Sequence, residues 1–187
     1  MKLILSKIKT YFGKLDKLLL FMCMGIACFA VFIQYTLYEN DISSAVTASQ
    51  YKTQIIAFIA GLVIAMALAA INYKYLAKLW FIYVPLAMGL TLLLFTPLGI
   101  QREGADDIGW LDLGIMTIQP SEILKLAFIL SLAVHLSKVE DRMNEPIHFI
   151  LLCIHGAIPT LLIRQTGDDG SALVFLFIFI CMMFAAG

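Results

Sequence analysis

The run Leu18-Leu19-Leu20-Phe21-Met22-Cys23-Met24-Gly25-Ile26-Ala27-Cys28-Phe29-Ala30-Val31-Phe32-Ile33-Gln34-Tyr35-Thr36-Leu37-Tyr38 carries no charge, and only Gln34 and Thr36 interrupt its apolar character. A bilayer hydrocarbon core about 30 Å thick is crossed by roughly 20 apolar residues of helix. The run has that length. Because Lys2, Lys7, Lys9, Lys14 and Lys17 precede it, a secretory signal is the competing reading. A signal has an apolar region of only about 7–15 residues. The nearest small-residue site, Val46-Thr47-Ala48, also lies far downstream. The run is therefore read as a retained transmembrane helix.

Five further spans follow on the same criterion: Ile55–Ile71, Leu79–Leu98 with Pro85 and Pro97, Pro120–Leu136 with Glu122 and Lys125, Ile147–Ile163 with His148, His155 and Pro159, and Ala172–Ala186, after which the chain stops at Gly187. The expected fold is all-α, a polytopic transmembrane helix bundle with spans near 18–38, 55–71, 79–98, 120–136, 147–163 and 172–187. Composition agrees. The chain has 187 residues, 61% hydrophobic and 14% charged, with mean hydropathy +0.93. A soluble domain averages about 45–50% apolar and about 25% charged, and a chain this short leaves too much surface exposed to hide the excess. Lys and Arg balance Asp and Glu at 13 each, so no bulk charge favours nucleic acid. Cys23, Cys28, Cys153 and Cys181 sit in apolar runs without metal-ligand spacing. They are expected to be small buried hydrophobes.

Orientation follows from where cations fall. Lys2, Lys7, Lys9, Lys14, Lys17, Lys74, Lys78, Lys138 and Arg142 lie on one side, and Lys52, Arg102 and Arg164 on the other. The N-terminus is therefore expected in the cytoplasm. Glu39, Asp41, Glu103, Asp106, Asp107, Asp112, Asp168 and Asp169 then face outward, most simply as a solvated rim. The last span gives only about 22 Å of helix, and no anchor follows it. The chain is expected to be cut there, with the full protein continuing.

Glu122 and Lys125 are the residues that hydrocarbon tolerates least. Three positions apart, they share a helix face. Pro120 suits the first helical position, and Glu122 then meets the positive end of the helix dipole. Two readings stay open for Lys125: a snorkelling ion pair with Glu122, or a polar cavity for an anionic ligand. Asp168 reads as an N-cap. His155, in mid-span, is expected to hydrogen-bond to a neighbouring helix. The outer loop Gly99–Ile118 ends in Trp110-Leu111-Asp112-Leu113-Gly114, whose alternation suits a short strand or re-entrant piece at the interface.

The segment Trp110-Leu111-Asp112-Leu113-Gly114-Ile115-Met116-Thr117-Ile118-Gln119-Pro120-Ser121-Glu122-Ile123-Leu124-Lys125-Leu126 resembles the SEDS family (RodA, FtsW and SpoVE). There a Trp-Ile-x-Leu-Gly stretch leads into Gln-Pro-Ser-Glu and a lysine. Asp168-Asp169-Gly170-Ser171-Ala172-Leu173-Val174 is similar to the family's Gln-Pro-Asp-Leu-Gly-Thr-Ala-Leu-Val, and Ala185-Ala186-Gly187 fits the end of that helix. The chain departs from the pattern at Gly109, where the family has a basic residue, and at Thr166-Gly167, where it has Gln-Pro.

The resemblance implies about ten helices in the whole protein, of which this chain is the N-terminal part of a single membrane domain. It implies a peptidoglycan glycosyltransferase of the bacterial cytoplasmic membrane that polymerises lipid II outside the membrane, with a class B penicillin-binding protein as partner and membrane lipids around it. The family's catalytic aspartate lies in a later loop, so no catalytic residue is expected in this chain. Glu122, Lys125, Asp168, Gln119, Ser121 and Trp110 are expected at the substrate cavity. No metal site is expected. A divalent cation is left open as cofactor, with no ligand set visible. The alternatives are a lipid-linked precursor transporter and a non-enzymatic scaffold for wall synthesis, which the sequence after Gly187 would separate.

Overall fold

In the computed structural model the described residues are 16–40, 48–102, 104, 106–114, 117–143 and 145–187. Lys2, Lys7, Lys9, Lys14, Asp41, Val46, Thr47, Glu103, Ile115 and Met116, used above, lie outside them. The chain divides into two compact units, Met1–Asn72 and Tyr73–Gly187.

In the first unit α1 (Lys17–Glu39) packs against α2 (Ala48–Ala70). Asp16 caps α1, its Oδ1 accepting from the Leu19 N–H at 3.0 Å, and Asn40 closes it by donating from backbone and side chain to the Thr36 carbonyl. Tyr38 and Tyr51 stack with centroids 6.3 Å apart. No residue of α1 is buried, although the helix is apolar on every face. A helix apolar all round is stable only in apolar surroundings, and a helix satisfies its own backbone there.

The second unit runs through the short α3 (Tyr73–Lys78), α4 (Trp80–Leu92) with a 3-10 turn to Phe95, strands β1 (Gly99–Ile100), β2 (Trp110–Asp112) and β3 (Thr117–Ile118), then α5 (Pro120–Val139), α6 (Pro146–Gln165) and α7 (Asp169–Ala186). Leu124, Phe128, Leu132, Leu136 and Val139 form one buried stripe at helical spacing on α5 and meet Ala87 of α4, Leu152 and Ile163 of α6, and Ala172 and Phe175 of α7. Close approach depends on Gly156. A Cβ there would come within 2.6 Å of the Phe179 ring, which is how small residues let membrane helices pack. Among the described residues, large apolar side chains outside this stripe are exposed, with Phe177 68% exposed.

Several expectations change. The third span does not reach Leu98, because Thr96 is extended at φ −104°, ψ 172°. A residue before proline is driven out of the helical region, so Pro97 ends the helix. Trp80–Phe95 is thus a shorter apolar helix, while Lys17–Glu39, Tyr51–Ala70, Pro146–Gln165 and Asp169–Ala186 are the four described helices that by length and composition are long and apolar enough to cross a membrane. The fold is also not purely helical. Leu111 sits at the centre of an antiparallel sheet ordered β1-β2-β3, opposite Gly99 and Ile118. The strand at Trp110–Asp112 was legible, but its two partners were not. Cys23, Cys28 and Cys181 are exposed and Cys153 is half-buried, rather than fully buried as expected.

Candidate functional site

The sheet delivers the chain into α5. Gln119 is extended at φ −101°, ψ 104°, as a residue preceding proline must be, and the Glu122 N–H closes the first turn on the Gln119 carbonyl at 3.2 Å. One turn of helix then brings Lys125 Nζ to 2.5 Å from Glu122 Oε1. The pair is asymmetric: the Lys125 side chain is 20% exposed and that of Glu122 60%. The ammonium is held in the protein while the carboxylate reaches outward. Beside them Ser121 is buried, and its Oγ has no hydrogen-bond partner among the described residues.

Trp110 is fixed from an unforeseen direction. The Arg102 guanidinium lies over its ring, 3.5 Å from the centroid, a cation–π contact made possible by the pairing of Ile100 with Trp110. Gly109, where the family pattern is basic, is buried, and a Cβ there would meet the Asp107 carboxylate at 2.5 Å. The cation beside Trp110 thus comes from Arg102 of the preceding strand segment.

The second motif docks on the first. The Ile108 N–H donates to the Thr166 carbonyl at 2.9 Å. Gly167 turns the chain at φ +87°, and a Cβ there would lie 3.3 Å from the Asp107 Cα. The left-handed conformation is costly for any residue with a Cβ. This explains a glycine where the family pattern has proline. Asp168 caps α7 as expected, its Oδ1 accepting from the Ser171 N–H at 2.8 Å, and Asp169 lies 3.7 Å from Arg164. Among the described residues no hydrogen bond or ion pair joins Asp168 to Glu122 or Lys125.

Within the helices a polar chain runs from α5 to α6. Ser131 Oγ and His155 Nε2 are 3.0 Å apart, and the Nδ1 atoms of His155 and His135 are 3.1 Å apart. The interhelical bond of His155 was expected, but its second partner was not. No spacing rule connects residues twenty apart on different helices. Next to Ser131, an apolar cavity of about 320 Å³ is lined by Val84, Met88, Leu124, Phe128, Ile158 and Pro159 among others.

A family model described as cell cycle protein, covering FtsW, RodA and SpoVE, matches residues 14–187. The chain belongs to this family. Among its FtsW/RodA relatives, a probable peptidoglycan glycosyltransferase FtsW of Geobacter sp. (strain M18) is 32% identical over 92% of this chain and 47% of its own length. The peptidoglycan glycosyltransferase RodA of Treponema pallidum is 29% identical over 92% of this chain and 39% of its own. The fold resembles the crystal structure of the rod shape determining protein RodA of Thermus thermophilus, with TM-score 0.67 and 25% identity over 86% of this chain and 52% of that one. It also resembles a chain from work on structural coordination of polymerization and crosslinking by a peptidoglycan synthase complex, with TM-score 0.76 and 23% identity over 93% of this chain and 48% of that one. The chain spans about half the length of the FtsW relatives it matches. Apolar helices and FtsW/RodA membership together fit a multi-pass protein of the bacterial inner membrane.

Proposed function

We propose that this chain forms the N-terminal part of a SEDS peptidoglycan glycosyltransferase that polymerises lipid II outside the membrane and works with a class B penicillin-binding protein. The observation that carries the reading is the Glu122–Lys125 pair at the mouth of α5, in a chain of the FtsW/RodA family. A lysine offers a compact point charge to a diphosphate, and the Glu122 carboxylate orients it. Gln119, Ser121, Trp110 and Asp168 complete the outer lining, and the neighbouring apolar cavity suits the hydrocarbon of a lipid-linked substrate. The test is a lipid II polymerisation assay on a purified full-length protein carrying this sequence, alone and with its penicillin-binding partner. Glycan chains are expected. Lipid II flipping without polymer would establish the transporter instead.

The same reading uses six spans in one membrane domain, with the N-terminus inside, Lys138 and Arg142 cytoplasmic and Asp106 outside. The cation asymmetry supports it. Outside the spans, the Arg142 guanidinium hydrogen-bonds to Glu145 and holds its carboxyl below the usual carboxylate range. In a cysteine-free background, an impermeant thiol reagent applied to intact cells is expected to label a cysteine at position 106 and to spare one at 140. The reverse pattern would overturn the orientation.

A further inference from the structure

At the opposite end of α5 from Glu122, a second cavity of about 230 Å³ lies between Trp80 of α4, Ser131, Val134, His135 and Lys138 of α5, and His155 of α6. It is below the roughly 300 Å³ at which sites for drug-sized ligands begin, so it suits a headgroup rather than a whole lipid. Its lining holds one ammonium, two imidazoles and one hydroxyl, and no carboxylate. Lys138 Nζ lies 5.7 Å from the Trp80 ring centroid and forms no ion pair among the described residues, although Glu140 and Asp141 follow it closely in the chain.

The hydrogens of the polar chain can all run toward this cavity. Ser131 Oγ lies 3.0 Å from His155 Nε2, so its single hydroxyl hydrogen can donate there in place of the Phe128 carbonyl 3.1 Å away. His155 then carries its hydrogen on Nδ1 and donates to His135 Nδ1, 3.1 Å away. His135 is left with its hydrogen on Nε2, which has no partner among the described residues. An anion in the cavity selects this direction, because each bond in such a chain polarises the next. No imidazole needs to become charged. Lys138 supplies the charge and His135 the directed N–H.

We propose that this cavity binds the phosphodiester headgroup of an anionic phospholipid. The location argues for a lipid over a soluble anion: the cavity opens among apolar helix faces, and a Trp with a Lys marks the level of the headgroups. Basic pockets between helices on the cytoplasmic side are suited to such headgroups. The inference rests on the membrane placement proposed above and not on the polymerase reading.

The test uses quenching of Trp80 by brominated lipid. In a full-length protein carrying this sequence, Trp110 and any tryptophan beyond residue 187 are replaced by Phe so that Trp80 alone remains, and the protein is placed in phosphatidylcholine nanodiscs containing rising fractions of brominated phosphatidylglycerol or brominated phosphatidylcholine. Phosphatidylglycerol is expected to quench at about one-fifth the mole fraction that phosphatidylcholine requires, the effect of one cation near a membrane-surface anion. Lys138→Gln is expected to abolish the difference and Lys138→Arg to keep it. Arg142→Gln, which removes a cation already paired with Glu145, is expected to leave it unchanged. Equal quenching by the two lipids overturns the proposal, as does equal loss in Arg142→Gln, which would mean diffuse attraction. Loss in Lys138→Arg as well would mean a packing role and overturns it too. Reversal by millimolar inorganic phosphate would assign the site to a soluble anion instead. If neither lipid quenches Trp80, the membrane placement itself fails, whereas loss of the preference alone removes only the headgroup site.

Discussion

Glu122→Gln combined with Lys125→Met, introduced into a full-length protein carrying this sequence, is expected to leave normal membrane levels and no measurable wall synthesis. The single changes separate folding from chemistry. Removing one partner of a fully buried ion pair strands the other at a cost of about 3–5 kcal/mol, and solvent at this half-open pair makes the cost smaller. Here the cost is unequal, because Lys125 is 20% exposed and Glu122 60%. Glu122→Gln abandons the ammonium inside the protein and is expected to lower membrane levels clearly. Lys125→Met abandons a carboxylate that water already reaches, and levels are expected to stay near normal. Activity follows a different order. Every variant without the Lys125 ammonium is expected to lose about 100-fold or more, the scale of removing one charge-stabilising group from a reacting centre. Lys125→Arg is also expected to be impaired, since a planar fork does not replace a compact ammonium. Complementation, with levels checked by blot, reads both quantities. Normal growth of the double mutant would defeat the substrate role and leave the pair as scaffold.

Among substitutions in the apolar core, the largest expected loss of stability is at Phe175. It is fully buried on α7, and its ring centroid lies 5.6 Å from that of Phe128 on α5. In a water-soluble core, Phe→Ala costs about 3–5 kcal/mol, the sum of a transfer part and a cavity part. Between membrane helices the transfer part largely vanishes, because lipid tails are as apolar as the core. The cavity part remains, and Phe175→Ala is expected to cost about 2 kcal/mol. Phe177→Ala, two residues on and 68% exposed, is expected to cost under about 0.5 kcal/mol, as a surface change does. Unfolding in mixed micelles measures both. Equal losses at the two positions would mean that α7 does not present Phe175 to α5.

Much was legible because its causes are local. Hydropathy over windows of about twenty residues locates apolar helices, since each satisfies its own backbone in lipid. Pro120 with Glu122 three residues before Lys125 marks both a helix start and a shared face. Asp168 before an apolar run marks a cap, and the cap forms. The third helix is shorter than its hydropathy alone suggests, because Pro97 acts on Thr96 by a steric effect that is equally local. The sheet partners Gly99–Ile100 and Thr117–Ile118 are too short to announce themselves, and only pairing with Trp110–Asp112 makes them strands.

Sequence alone was enough to show a set of apolar helices with one charge pair inside an apolar run, and its motifs were enough to point to the SEDS family. Hydrophobicity, helix periodicity and the exclusions of proline act within a few residues, so order along the chain is sufficient to read them. Tertiary structure alone decided which cation covers Trp110, how the turn at Gly167 docks on Asp107, and that Ser131, His155 and His135 form one polar chain. Those contacts join residues that are close only after strands pair and helices pack, and their energies depend on distances that no spacing in the chain encodes.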